Sequence, residues 1–132
     1  MLLDVALTWK ELPGRDLSQS IVVIADILRA TTVITAALSN GAVAIYPQDS
    51  DENARACYNR LAAAGVPVLI CGEKEGFKRP GYDLGNSPLE FTSNAVSGKT
   101  LVHLTTNGTR ALVAASAARR VVILSFHNLS AV

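Results

Sequence analysis

The chain has 132 residues, the length of one domain that buries about two thirds of its unfolded surface around a single core. Charged residues make up 17%, aromatic residues 5%, and the formal net charge is +1 with no basic stripe, so the footprint and stacking platforms of nucleic-acid binding are absent and some apolar surface should meet a partner. No apolar run reaches the roughly 18 residues that cross a bilayer, and the N-terminus lacks a leader pattern, which leads to the expectation of a cytoplasmic protein that binds neither nucleic acid nor membrane.

Period and punctuation predict strands over 2–7, 21–27, 42–46, 66–71, 100–104 and 121–126, several apolar on both faces as buried parallel strands require. Helices are predicted between them. One over 31–39 stops at Asn40-Gly41, one over 49–64 starts at Asp and Ser caps and stops at Gly65, and one runs over 108–118. The segment 72–87, rich in glycine and charge, reads as a long loop before a helix starting near Pro88. This alternation predicts one layered α/β/α domain with a mostly parallel sheet of about five to six strands. Cys57 and Cys71 match no metal or redox spacing and read as reduced packing residues.

Ligands of open parallel sheets bind beyond the carboxyl ends of the strands. Here those ends deliver Asp26 and Arg29, Glu73, Thr105 to Arg110, and Ser125 to Asn128. Asp26 follows an apolar run, where a carboxylate can hold a hard cation or attack phosphorus; it can equally cap a helix or pair with Arg29. Glu73 is a metal ligand, a base or a solvated loop acid. Arg29 and Arg110 sit early in two helices, each able to fork onto a phosphate or sulfonate, or to form a surface ion pair. Thr31, Thr32, Thr105, Thr106 and Thr109 cap helices or bind ligand, with Asn107 and Gly108 in the same turn. Asn86 caps the following helix or projects its amide into the pocket. His103 reads as a core residue, His127 as an acid/base candidate at the binding edge. Phosphate-loop, dinucleotide and acyl-transfer signatures are missing. The two arginine-bearing corners are expected side by side, gripping one small polyanion.

In order, Asp26-Ile27-Leu28-Arg29-Ala30-Thr31-Thr32, Gly72-Glu73, Leu84-Gly85-Asn86-Ser87-Pro88 and Thr105-Thr106-Asn107-Gly108-Thr109-Arg110-Ala111-Leu112 resemble the 2-phosphosulfolactate phosphatase family. The resemblance covers essentially the whole chain. It implies a Mg²⁺-dependent hydrolase that removes phosphate from 2-phospho-3-sulfolactate, a step toward coenzyme M in methanogens. Family members are longer, so the chain is similar to an N-terminal portion, whose apolar surface the remaining half or another subunit, as in a homo-oligomer, would cover. On this basis Asp26, Arg29 and Arg110 are expected in catalysis and Asp26 and Glu73 on the metal. Substrate binding is expected from Thr31, Thr32, Asn86, Ser87, Thr105, Thr106, Asn107, Gly108, Thr109 and Asn128. The attacking group is Asp26 itself or a water. The alternative function is a catalytically silent anion-binding or assembly module, or an inactive fragment of the enzyme.

Overall fold

A computed structural model describes residues 2–132. Strands and helices alternate: β1 (Ile21–Ile24), α1 (Ala30–Ser39), β2 (Ala44–Gln48), α2 (Asp51–Ala63), β3 (Val68–Lys74), β4 (Phe77–Lys78), α3 (Ser93–Val96), β5 (Thr100–Leu104), α4 (Gly108–Ala114) and β6 (Arg120–Ile123). The fold is α/β, and its strand pairs are parallel except for the β3–β4 hairpin.

The strands are divided over two sheets, a ribbon β1-β6 and a four-stranded sheet in the order β2-β5-β3-β4. β5 is buried at every position. It pairs with a parallel neighbour on each side, Ala44 and Val68 both standing opposite Thr100. That explains why Thr100-Leu101-Val102-His103-Leu104 reads as a nearly unbroken apolar run. α2 packs on β3 and β5, enclosing Ala54, Cys57, Leu61, Ile70, Val102 and Leu104 with Tyr82. On α1's side of the sheet Phe91, Val96 and Leu101 join Val33 and Ala37. α4 lies against β2, β5 and β1 and so bridges the two sheets, with Leu12, Ile24 and Ala115 forming a third cluster.

The strand predicted over 2–7 is coil. Leu2, Leu3, Val5 and Leu7 are exposed and pair with no strand among the described residues, and a short apolar stretch without a paired neighbour does not make a strand. The next residues are fixed locally by a capping box of Thr8 and Glu11 on a 3₁₀ turn, Trp9–Glu11.

β3 runs three residues past its predicted end and turns into β4. Gly72 permits this: a Cβ there would stand 1.9 Å from the carbonyl oxygen of Leu104, so only glycine lets the two strands approach. The following loop folds back on β3, with Asp83 N–H donating to the Ile70 carbonyl at 2.9 Å and Gly72 N–H to Leu84 at 3.1 Å. Near Pro88 there is a 3₁₀ turn, Pro88–Glu90, before the short α3. Both cysteines are free and buried, as packing residues should be, and burial pushes the Cys71 thiol well above its ordinary pKa.

Candidate active site

A cavity of about 270 Å³ opens where β1 and β3 end and the β5–α4 turn begins, lined by Asp26, Arg29, Glu73, Asn86, Thr106 and Asn107 among others. The elements around it explain how residues so distant in the chain meet. β1 ends at Ile24 and the chain doubles back into α1, with Thr31 N–H donating to the Asp26 carbonyl at 2.9 Å. This turn leaves the Asp26 side chain at the mouth.

Gly108, first residue of α4, approaches so closely that a Cβ would lie 2.5 Å from the Ala30 Cβ and 2.6 Å from Asp26 Oδ2. The N-terminal turns of α1 and α4 therefore converge on a carboxylate of the protein itself. Burial raises the pKa of Asp26; nearby amides of Ala30, Gly108 and Arg29 oppose the rise, and the charge of Glu73 adds to it.

Glu73 is held the other way. Its Oε1 accepts from the Thr106 amide at 2.6 Å, and its Oε2 from the Gly76 amide at 2.8 Å and the Thr106 hydroxyl at 3.1 Å. Burial alone would raise its pKa, but these donors and the charge of Arg79 outweigh it, and the net shift is downward. Two carboxylates on one cavity are thus pushed apart in acidity, the pattern of a site that assigns different roles to its acids.

Arg29 donates to the Gly76 carbonyl at 3.2 Å, tying the β3–β4 turn to the cavity wall. Glu75 also lines the cavity, so three acids, Asp26, Glu73 and Glu75, face one guanidinium. Asn86 is buried, with Oδ1 3.0 Å from Nε2 of His103.

Arg110 is not part of this wall. Its Nε donates to the Asp49 carbonyl at 3.2 Å and its guanidinium lies 5.5 Å from the centre of the Trp9 ring. The expected pair of arginines gripping one anion is therefore not formed. Arg110 fastens the Trp9 turn and the end of β2 to α4.

Other predicted contacts are internal too. Thr105 and Thr109 are buried and cap one another, amide to hydroxyl at 2.8 and 3.0 Å. Thr32 donates to the Ile27 carbonyl at 2.7 Å, and Thr31 is buried with Oγ1 lacking a partner among the described residues. The Ser87 amide donates to Glu90 at 3.3 Å. Asn128 closes the turn after β6, accepting from the Ser125 amide at 2.7 Å and donating to Ile123 at 2.8 Å. None of these lines the cavity, nor does His127.

Glu75, Gly76 and Leu28 also line it, and their residue types carry no site signal in the sequence. Glu75 and Gly76 reach it on the β3–β4 hairpin, where the sequence predicts a loop. Glu75 and Gly76 both have positive φ, 54° and 87°, and form the tight turn; Gly76 marks a turn in the sequence, but not the strand pairing on either side of it. A second cavity, about 170 Å³ beside Arg55, Tyr58 and Asp83, offers less. Arg55 is engaged with Asp51 at 2.8 Å and stands over the Tyr82 ring.

The family described as 2-phosphosulpholactate phosphatase matches residues 6–132. The chain belongs to the 2-phosphosulfolactate phosphatase family. Among its curated relatives, a protein of Clostridium perfringens (strain 13 / Type A) is 42% identical over 132 residues, all of this chain and 53% of the relative. One from Caldicellulosiruptor saccharolyticus is 44% identical over 120 residues, 91% of this chain and 48% of the relative. One from Thermotoga petrophila is 46% identical over 110 residues, 83% of this chain and 45% of the relative. Each is named Probable 2-phosphosulfolactate phosphatase. The chain spans about half the length of the curated relatives it matches.

Proposed function

We propose that the cavity at Asp26 binds a small phosphorylated acid and hydrolyses its phosphomonoester, with 2-phospho-3-sulfolactate as the substrate that the family name suggests. The observation that carries this reading is the pairing of Asp26 and Glu73, one acid raised and one lowered in pKa, on a cavity that also holds Arg29 and Asn86. In this reading Arg29 grips phosphoryl oxygens by paired N–H donors and the Asn86 amide donates beside it. Asp26 accepts the proton of the attacking water as the water oxygen bonds to phosphorus and the ester P–O bond breaks, and passes that proton to the leaving alcohol oxygen; direct attack by Asp26 is the competing route.

The charge balance of the cavity bears on a cofactor. Asp26, Glu73 and Glu75 line the cavity with Arg29, and Arg79 adds a second positive charge behind Glu73, so acids outnumber the nearby guanidinium groups and a cation entering with a polyanion would ease its binding. Two carboxylates with solvent and a phosphate suit Mg²⁺, which keeps several waters and takes one or two protein carboxylates. Asp26 and Glu73 are the residues that would hold it, and when bound it would neutralise charge on the phosphoryl oxygens.

A second reading has its own support: the chain spans about half the length of the relatives that carry the phosphatase name. Under it this chain binds the anion without turning it over. Phosphate release from phosphosulfolactate by the purified chain with Mg²⁺, abolished in Asp26→Asn while binding persists, supports hydrolysis; binding with no release supports the silent module. Rapid quench with labelled substrate separates water attack from a phosphorylated Asp26.

We also propose a partner for the apolar side chains left at the surface, which include Ile21 and Val23 on β1 and Phe126 and Leu129 after β6. A second copy or the part of the relatives outside this match would cover them, and sedimentation of the 132-residue chain distinguishes a dimer from a monomer. No helix among the described residues is long and apolar enough to cross a membrane. Placement in the cytoplasm and in coenzyme M synthesis belongs to the same proposal, tested by fractionation and by growth of a deletion strain with and without sulfolactate.

A further inference from the structure

His103 occupies the middle of β5 with 1% of its surface exposed. Burial brings its pKa down to about 4, so the ring is neutral near pH 7. A neutral imidazole carries one N–H and one bare nitrogen, and which nitrogen has the hydrogen is decided by its partner. Here the partner of Nε2 is Oδ1 of Asn86, at 3.0 Å. A carbonyl oxygen only accepts, so this contact is a hydrogen bond in the tautomer that carries the hydrogen on Nε2.

Asn86 is 6% exposed and meets solvent at the cavity beside Asp26, Arg29 and Glu73. Its amide is planar, so a fixed Oδ1 fixes Nδ2 as well. No described residue accepts from Nδ2, and the side-chain polar atom that is both enclosed and unpaired among them is Thr31 Oγ1. Nδ2 therefore reaches solvent, where Asn86 forms part of the cavity wall.

We propose that His103 is a positioning residue for this site: its Nε2–H turns Asn86 so that the amide NH₂ donates, beside Arg29, to an oxygen of a phosphoryl group. The proposal rests on the reading of the cavity as an anion site given above. The opposite amide orientation would add a carbonyl to a wall that already carries Asp26, Glu73 and Glu75, and would repel phosphoryl oxygens. In this arrangement a buried strand residue sets the polarity of a group in the cavity without touching the ligand.

Calorimetric titration of inorganic phosphate with Mg²⁺ into the 132-residue chain tests it, using wild type, His103→Leu, Asn86→Ala and the double variant, each first checked for folding by circular dichroism. Loss of a donor to a charged group predicts about tenfold weaker binding for His103→Leu and for Asn86→Ala. The double variant should bind no worse than Asn86→Ala. His103→Gln, whose amide can donate to Oδ1, should recover most of the affinity. Equal weakening by His103→Leu with and without Asn86 overturns the proposal. So does ¹⁵N NMR of the wild type with the hydrogen of His103 on Nδ1, a measurement that needs no variant to fold. Absence of phosphate binding by the wild type overturns the anion-site reading and the proposal with it, and the NMR result reports separately on the His103–Asn86 pair.

Discussion

The backbone N–H of Thr106 donates to Oε1 of Glu73 at 2.6 Å, so the first free amide of the β5–α4 turn is occupied by a carboxylate from β3. A glycine-containing turn of this type reads as an anion cradle, and here the anion is supplied by the protein. Glu73→Gln keeps one acceptor oxygen and loses the charge that all three donors face. We expect it to cost roughly 1–3 kcal/mol of stability, measured by urea unfolding, and to abolish any Mg²⁺ dependence of phosphate binding.

The arginines separate by function. Arg29→Ala should weaken phosphate binding at least about tenfold, the scale of one charge-assisted contact, with little change in unfolding. Arg110→Ala should leave phosphate affinity unchanged and loosen the turn at Trp9, the single tryptophan of the chain, so that its fluorescence shifts to the red. A loss of affinity in Arg110→Ala equal to that in Arg29→Ala would return Arg110 to the site.

Gly108→Ala should be costly for a short side chain. Its Cβ would stand 2.5 Å from the Ala30 Cβ and 2.6 Å from Asp26 Oδ2, and the first of these belongs to a helix that cannot step aside freely. About 1–3 kcal/mol is the usual cost of such overpacking, and phosphate binding should fall because Asp26 is displaced. Gly72→Ala, with its Cβ 1.9 Å from a strand carbonyl, should prevent folding or split β3 from β5.

Stability should depend on pH through His103. An unfolded histidine titrates near 6.5 and this one, when folded, near 4. Between those values the unfolded chain binds more protons, so stability rises with pH; it is complete above about 6.5 and is lost as pH falls through 4. The full effect is on the order of 3 kcal/mol. Glu73, lowered by its amide donors, acts in the same sense below its unfolded value of 4.5, whereas Asp26, raised by burial, opposes both. Urea midpoints from pH 4 to 8 should show the slope in wild type and a much flatter line in His103→Gln.

Much of the fold was legible because burial leaves a period. β5 begins and ends at the predicted residues, since an inner strand must be apolar on both faces and Thr100–Leu104 is buried at every position. α4 begins where predicted, but rotation about its axis was not legible. Arg110 lies two residues after Gly108, roughly 200° around a helix, so with Gly108 turned toward Asp26 the arginine points to Asp49 and Trp9. The hairpin at Glu73–Lys78 was hidden because Gly72, which reads as the start of a loop, lets β3 approach β5, while Gly76 supplies the turn. Asp26, Glu73 and Asn86 could be marked as strand-end and loop polar groups. That Glu73 accepts from the β5–α4 turn depends on contacts distant in sequence, as does the burial of His103 against Asn86.

Asp26 follows β1 and Glu73 lies near the end of β3, and those strands belong to separate sheets that α4 bridges. The gap between the two carboxyl groups is consequently a property of tertiary docking, and no hydrogen-bonded ladder sets it. A swing of the ribbon by an ångström would spoil the spacing while leaving each strand pair intact. Mild denaturant should therefore silence the pocket at concentrations where far-ultraviolet dichroism still looks native.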